Sequence, residues 1–497
     1  MQRRSSSQRT TLPESKNRGA NEMQRSCRSP SQIKQVHAHI LKTGHVQSQT
    51  THLLLTCASC CPPPELSYSL SLFHCLQPTT NTFVWNTMIR VFIQSNYPDQ
   101  ALSLYARMRR YGISCDSFSL TFALKACSHL RRLPHAEQLH THVVKASFLA
   151  QPHVQSALMH AYAGCGGPSP ARKLFDEIPE RSTTAWCVLI AAYAETGDLE
   201  SCRMVFNEMP ERDLASWNTM VDAYVRCGQP GEALNLFREM EATGLSPNHV
   251  TMLGVISACG EMGELEFGRW IHFNYIENYA LKCNNLRVST ALTDMYLKCG
   301  RADLAMEVFN RMDDKDLLSW TAIICGMAIN GQGDRALRLF DEMEKAGVWP
   351  DEVTFLGVLS ACSHAGFVKE GRRYFSSMVK DYGLEPRIEH YGSMVDMMGR
   401  AGLIGEAQQF IENMPMQPNL VVWRSLLASC RVHGAVEVAE WVRERLEAVG
   451  QVSNDDTSVV LSNLYAEERR WGEAESIRRL MKEMGRNKKW GCSLLHV

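Results

Sequence analysis

The chain lacks most of the features that announce a function. Lys and Arg number 52 against 53 Asp and Glu, a formal net charge of −1, so gross charge points to no polyanionic partner and any such contact must come from local arrangement. No apolar run approaches the roughly 18 residues of a membrane helix, so no membrane partner is expected. There is no glycine-rich phosphate loop ending in Lys-Ser or Lys-Thr, and no G-x-S-x-G nucleophile elbow. His135-Ala136-Glu137 matches the first half of a zinc deaminase signature, in which the His binds zinc and the Glu shuttles protons, but no Cys-x-x-Cys follows it. Cys57, Cys60 and Cys61 stand before three prolines and imitate a metal knuckle, yet the second Cys/His pair is missing. His37/His39 and His140/His142 lack a carboxylate or cysteine at metal spacing. No catalytic residue, metal, cofactor or small-molecule substrate is therefore expected.

Cysteine is not scarce, at 18 residues, but its placement argues against bridges. Cys165, Cys227 and Cys299 share one slot, in GCG, RCG and KCG, and Cys127, Cys259 and Cys362 share another, in KAC, SAC and SAC. A residue that recurs at one repeat position reads as small packing filler, as expected for reduced thiols in a reducing compartment. Residues 1–30 are a different material, with seven Lys/Arg against two Glu, much Ser and almost no large apolar side chain. That composition reads as an organelle-targeting leader, and without an apolar core it is no secretory signal. Residues 31–81 begin a repeat array in degenerate form.

From residue 82 the repeats are plain. Leu317–Asp351 shows the unit: Trp320, Ile323, Ile324, Met327 and Ala328 make one helical face, and Gly331-Gln332-Gly333 breaks it. Ala336, Leu337, Phe340 and Met343 make a second face, Asp334 suits its N-terminal dipole, and Gly347 with Pro350 ends it. Tryptophans open helices at Trp85, Trp186, Trp217, Trp320 and Trp423, and both Trp217 to Trp320 and Trp320 to Trp423 span 103 residues. That period subdivides into ten units: 82–116, 117–151, 152–182, 183–213, 214–248, 249–285, 286–316, 317–351, 352–387 and 388–419. A single hairpin this small cannot bury its apolar faces, and stacked neighbours do so. The predicted fold is all-α, a superhelical solenoid of tetratricopeptide-like helix-turn-helix repeats with its first helices lining a concave face. Residues 420–497 continue it with a hairpin to about Val449, a polar break from Gly450, a last helical pair over Val459–Met484 and a basic end.

The mixed unit lengths and the stamps LFDEIPE, VFNEMPE, LFREM, VFNRM and LFDEM resemble the pentatricopeptide repeat family of plant organelles, in the subclass that alternates standard, long and short repeats. VVWRSLLASCRVHG from Val421 and VVLSNLYAEERRWGEAESIRRLMKEMG from Val459 resemble the C-terminal extension motifs of that subclass. In many relatives a deaminase-like domain ending in Asp-Tyr-Trp follows, and here the sequence stops at Val497. The resemblance implies a non-enzymatic, sequence-specific binder of single-stranded organellar RNA. It implies a site-recognition factor for C-to-U editing that recruits a separate deaminase-bearing protein through 420–497, in the mitochondrion or, alternatively, the chloroplast. A splicing, processing or stability factor is the alternative within RNA binding. A protein-binding scaffold is the alternative outside it, opposed by the mixed period.

In the resembled family the fifth and last residues of a repeat read one base. Carried over, Asn86 with Asp116 implies U, Asn218 with Asn248 a pyrimidine, and Thr290 with Asp316 and Thr321 with Asp351 each G. Ser156 with Ser182, Cys187 with Asp213, and Gly392 with Asn419 depart from the well-read combinations. The long repeats carry Thr121, Leu253 and Leu356 at the fifth position, and leucine cannot hydrogen-bond a base. Thr321 lies about 100° round the helix from core Trp320 and is expected to face the groove. The aspartates also suit a plainer role, capping the next helix.

Overall fold

The structure is a computed structural model that describes residues 81–277, 285–448 and 455–483, together with Leu70 and Phe73. The leader, the readings at His37, His39, Cys57, Cys60 and Cys61, and the basic end from Gly485 lie outside the described residues. Among the described residues all regular structure is helical, and no helix is long and apolar enough to cross a membrane. The chain divides into two units between Glu232 and Ala233.

The first unit holds α1 (Thr82–Gln94) and α2 (Pro98–Arg110), α3 (Ser117–Leu130) and α4 (Leu133–Lys145), α5 (Pro152–Gly166) and α6 (Pro168–Glu177), α7 (Thr183–Glu195) and α8 (Leu199–Glu208), and α9 (Leu214–Arg226). Each pair is a hairpin, and the first helices pack in sequence, α1 on α3, α3 on α5, α5 on α7 and α7 on α9. Their apolar stripes make the core: Trp85, Met88, Ile89 and Phe92 of α1 recur at helical spacing and are all buried. The solenoid reading holds here because no hairpin covers that stripe by itself.

α10 (Pro230–Ala242) starts just before the division. The second unit then holds α11 (His249–Met262), α12 (Leu265–Ile271), α13 (Leu286–Lys298), α14 (Ala302–Asn310), α15 (Leu317–Ile329), α16 (Gly333–Lys345), α17 (Glu352–Ala365), α18 (Val368–Lys380), α19 (Ile388–Arg400) and α20 (Ile404–Glu412). The tail adds α21 (Leu420–His433), α22 (Val436–Ala448), α23 (Asp455–Glu467) and α24 (Trp471–Glu483). The first helices again pack in order, from α11 on α13 to α19 on α21. A π-helical turn, His272–Glu277, continues α12, an irregularity that the helical sequence pattern there does not announce.

The three 31-residue repeats, 152–182, 183–213 and 286–316, owe their stamp to one recurring stack. Phe175, Phe206 and Phe309 meet Trp186, Trp217 and Trp320 of the next hairpin edge to face, with ring centroids 4.6, 4.9 and 4.9 Å apart. A cation covers each Phe: Arg181 at 4.6 Å, Arg212 at 4.9 Å and Lys315 at 5.2 Å. These cations also donate to carbonyls of the turn, Arg181 to Phe175, Arg212 to Phe206 and Lys315 to Met312. The tryptophans are thus architecture. So are Cys127, Cys259 and Cys362, which are fully buried, with thiols that burial pushes up to about 12.

Two sequence expectations change. Gly333 does not belong to the helix break, since it opens α16. A Cβ there would lie 2.8 Å from Ala365 Cβ and 2.9 Å from the Ala361 carbonyl oxygen, so the glycine lets α16 meet α17. Gly347 does supply the left-handed stop, at φ 74°. The last pair begins at Asp455 rather than Val459, because polarity alone does not exclude a first helical turn. Tyr465 then donates to Glu440 at 2.8 Å, and Arg470, also paired with Glu440 at 3.1 Å, covers the Tyr465 ring. α23 and α24 are thereby tied to α22.

Candidate nucleic-acid interface

The last residue of each repeat stands at the N-cap of the next first helix, where orphan backbone N–H groups need an acceptor. Asp116, Ser182, Asp213, Asp316, Asp351 and Asn419 each accept from the backbone N–H three residues on, at Ser119, Ala185, Ser216, Ser319, Thr354 and Val422. Asn248 accepts from both Val250 and Thr251. Capping is therefore a real role of these residues. It also fixes each side chain at the positive end of a helix, where a partly negative group is held in one orientation.

The fifth residue lies on the preceding first helix, and at two junctions it is linked to that N-cap. At the first junction the two meet directly. Asn86 Nδ2 donates to both carboxylate oxygens of Asp116, at 2.9 and 3.1 Å, and the single Ser119 hydroxyl proton is shared between Asn86 Oδ1, 2.6 Å away, and Asp116 Oδ1, 2.9 Å away. Burial opposes ionisation of Asp116, but donation from the Ser119 N–H, from Asn86 and from the Ser119 hydroxyl outweighs it and holds the carboxyl below its ordinary range.

At the junction after repeat 317–351 the link is indirect. Thr321 Oγ1 lies 2.7 Å from Thr354 Oγ1, and the Thr354 hydroxyl donates to Asp351 Oδ1 at 2.8 Å, the oxygen that also accepts the Thr354 N–H. With the Thr354 proton committed to Asp351, Thr321 is the donor between the two threonines. Thr290 differs again, since its hydroxyl donates to its own helix at the Leu286 carbonyl, 2.8 Å away. Asp316 caps α15 and is exposed. Asn218 lies in the first unit and Asn248 in the second.

Among the irregular pairs, Ser156 and Ser182 are half-buried, with Ser182 capping α7. Cys187 is half-buried with its thiol pushed up by burial, while Asp213 is exposed. Gly392 offers no side chain opposite Asn419, and a Cβ there would meet only Val422 Cγ2, at 3.8 Å. Of the long repeats, Thr121 is buried, while Leu356 is half-buried. His135 and Glu137 are both exposed on α4, and no group of three His, Cys, Asp or Glu able to hold a metal occurs among the described residues.

The fifth residues are more enclosed than expected, with Asn86, Thr290 and Thr321 only 5 to 7% exposed, because first helices of successive repeats pack directly on each other. What stands open is the second residue of the repeat. Phe83, Phe118, Val250, Leu318, Val353 and Val421 are 46 to 65% exposed. They lie three residues before the fifth position, on the same helical face. At the junctions after repeats 82–116 and 317–351 an exposed apolar platform, Phe83 or Leu318, thus stands beside an enclosed fifth residue and its capping partner. The sequence reading missed this row, although an apolar residue off the core stripe, such as Phe83 beside Trp85, is its visible signal.

Models of the PPR repeat family match residues 80–129, 212–261 and 315–364, and models of the PPR repeat match 184–214, 288–317, 353–382 and 389–417. An E motif matches 433–496. One pentatricopeptide repeat-containing protein of Arabidopsis thaliana is 44% identical over 95% of this chain and 76% of its own length. Another from the same plant is 39% identical over 100% of this chain and 95% of its own length. Relatives named mitochondrial and relatives named chloroplastic both occur. The crystal structure of the pentatricopeptide repeat protein PPR10 in complex with an 18-nt psaJ RNA element is similar with a TM-score of 0.68 over 92% of this chain and 77% of that one. Sequence identity there is 16%, so that likeness is one of fold.

Proposed function

We propose that this chain, which belongs to the pentatricopeptide repeat family, is a sequence-specific single-stranded RNA-binding protein of an organelle that acts as a site-recognition factor for C-to-U editing. The observation that carries the reading is the junction itself: a fifth residue and a capping last residue, held together at Asn86–Asp116 and through Thr354 at Thr321–Asp351. A base edge needs a polar group to touch and a second to fix that group, and one base per helical repeat is an established mode of RNA reading. The exposed apolar row supplies surfaces on which a base stacks. Under this reading Asn86 with Asp116 selects U, Asn218 with Asn248 a pyrimidine, and the pairs of Thr290 and Thr321 each select G. Ser156, Ser182, Cys187, Asp213 and Asn419 make weaker contacts.

The editing role rests on the E motif over 433–496, within the tail that we assign to recruiting a deaminase in trans. The leader composition and the names of relatives support an organelle, and we propose the mitochondrion. Sequencing organellar transcripts from a loss-of-function line tests the role. Specific unedited cytidines are expected. Fully edited transcripts with unspliced introns or altered ends would replace editing with a processing role.

A further inference from the structure

At one junction the second residues of two successive repeats stack ring on ring, which alters how RNA would lie along the array. Phe118 and His153 are the second residues of repeats 117–151 and 152–182, and both are exposed. Their rings stack on each other, with centroids 5.1 Å apart and planes 20° from parallel. A base between them needs two stacking steps of about 3.4 Å, roughly 7 Å in all. The slot is filled by protein.

The other end of the same two helices is also closed. The Ser128 hydroxyl donates to the His160 carbonyl at 3.2 Å, and Cys165 Sγ lies 3.2 Å from the Cys127 carbonyl oxygen. Gly164 makes this approach possible, because a Cβ there would sit 2.4 Å from Ser128 Oγ. Widening the slot would therefore strain contacts along the full length of α3 and α5. The capped last residue of the other reading pairs is absent as well. Thr121 donates its hydroxyl to the Ser117 carbonyl at 2.8 Å, and Gln151, the last residue of the repeat, makes no side-chain cap bond to α5.

We infer that the junction between repeats 117–151 and 152–182 takes no base, so that RNA passes from the letter read by Asn86 to repeat 152–182 without an intervening nucleotide. Phe118 and His153 then act as register-setting residues, and their stack offers its outer edges to the neighbouring bases. This inference rests on the base-reading function proposed above. It shortens by one the spacing between the U of repeat 82–116 and the two G letters of repeats 286–316 and 317–351, from five intervening nucleotides to four.

The test is fluorescence anisotropy of the full chain with two RNAs that differ only in that spacing, the pyrimidine letter being kept two places before the first G. The four-nucleotide RNA is expected to bind roughly fivefold or more tightly, the low end of what one base contact contributes. Replacing Phe118 and His153 together by alanine opens the slot and is expected to reduce that ratio below about twofold. Both side chains are exposed, so the fold tolerates the change. Tighter binding of the five-nucleotide RNA, equal binding of both, or an unchanged ratio in the double variant would each overturn the inference. A G-to-U change opposite Thr321 serves as the control. If it weakens neither RNA, the base-reading function itself fails and takes the inference with it. If it weakens both while the spacing ratio is wrong, only the register inference fails.

Discussion

At the Asn86–Asp116 junction an amide touches a carboxylate directly, whereas at the Thr321–Asp351 junction a third residue, Thr354, stands between the two. The difference follows from reach. An asparagine side chain is long enough to bridge from one first helix to the next N-cap, and a threonine is not. The residue three places into the next helix closes the gap. Ser119 and Thr354 occupy that same position, yet only Thr354 is indispensable to the link. The lesson is that holding the fifth residue to the capping residue takes three residues at Thr321 and two at Asn86.

The largest expected effect breaks the shared part of both junctions. Asp351→Ala removes the α17 cap and the acceptor for Thr354, and should destabilise the chain by about 0.5–2 kcal/mol in thermal or denaturant unfolding. It should also abolish discrimination at the matching RNA position. The same change at Asp116 should do likewise, and a stability loss with intact discrimination at either site would confine these aspartates to capping.

An effect on RNA reading that is confined to one of the two junctions, and smaller in that respect, sharpens the contrast. Thr354→Val and Ser119→Ala each remove a fully buried hydroxyl and leave a polar group unpaired, at about 1–3 kcal/mol. Their effects on RNA should differ. Thr354→Val cuts the Thr321–Asp351 link and should flatten the G preference, while Ser119→Ala leaves the direct Asn86–Asp116 bonds and should keep the U preference. Equal loss of preference in both variants would erase the distinction. A smaller effect still is expected with pH. The Asp116 carboxyl is held below its ordinary range, so its contribution is present above the unfolded value and is lost as pH falls through the lower folded value. Acid titration followed by NMR of Asp116 should show it ionised where ordinary aspartates are already protonated. A midpoint at or above the ordinary range would contradict the hydrogen-bond pattern.

Much of the fold was legible in the sequence. Asp, Asn and Ser recur before most of the apolar stripes, and those are the residues that cap helices, so the repeat ends read at Asp116, Asp213, Asp316 and Asp351 coincide with N-caps. The Trp stripe, as Trp85 and Trp320 show, reports core directly. Other features depend on distances between helices that no single-helix pattern encodes. The enclosure of Thr321, the bridge through Thr354 and the closed Phe118–His153 slot are of this kind. Gly333 looked like a breaker because glycine marks both turns and close approaches, and only its neighbours Ala361 and Ala365 tell which. The exposed row through Phe83 and Leu318 was visible in principle, as apolar side chains off the core stripe.

The most direct measurement converts one junction into the other. Thr321→Asn places at repeat 317–351 the same pair that stands at Asn86–Asp116, and gel-shift binding to RNAs that differ only at the matching base reads the result. Wild type should favour G there and the variant U. Wild type that ignores a G-to-U change, or a variant that keeps the G preference, would contradict the claim that the fifth and last residues of each repeat choose the base.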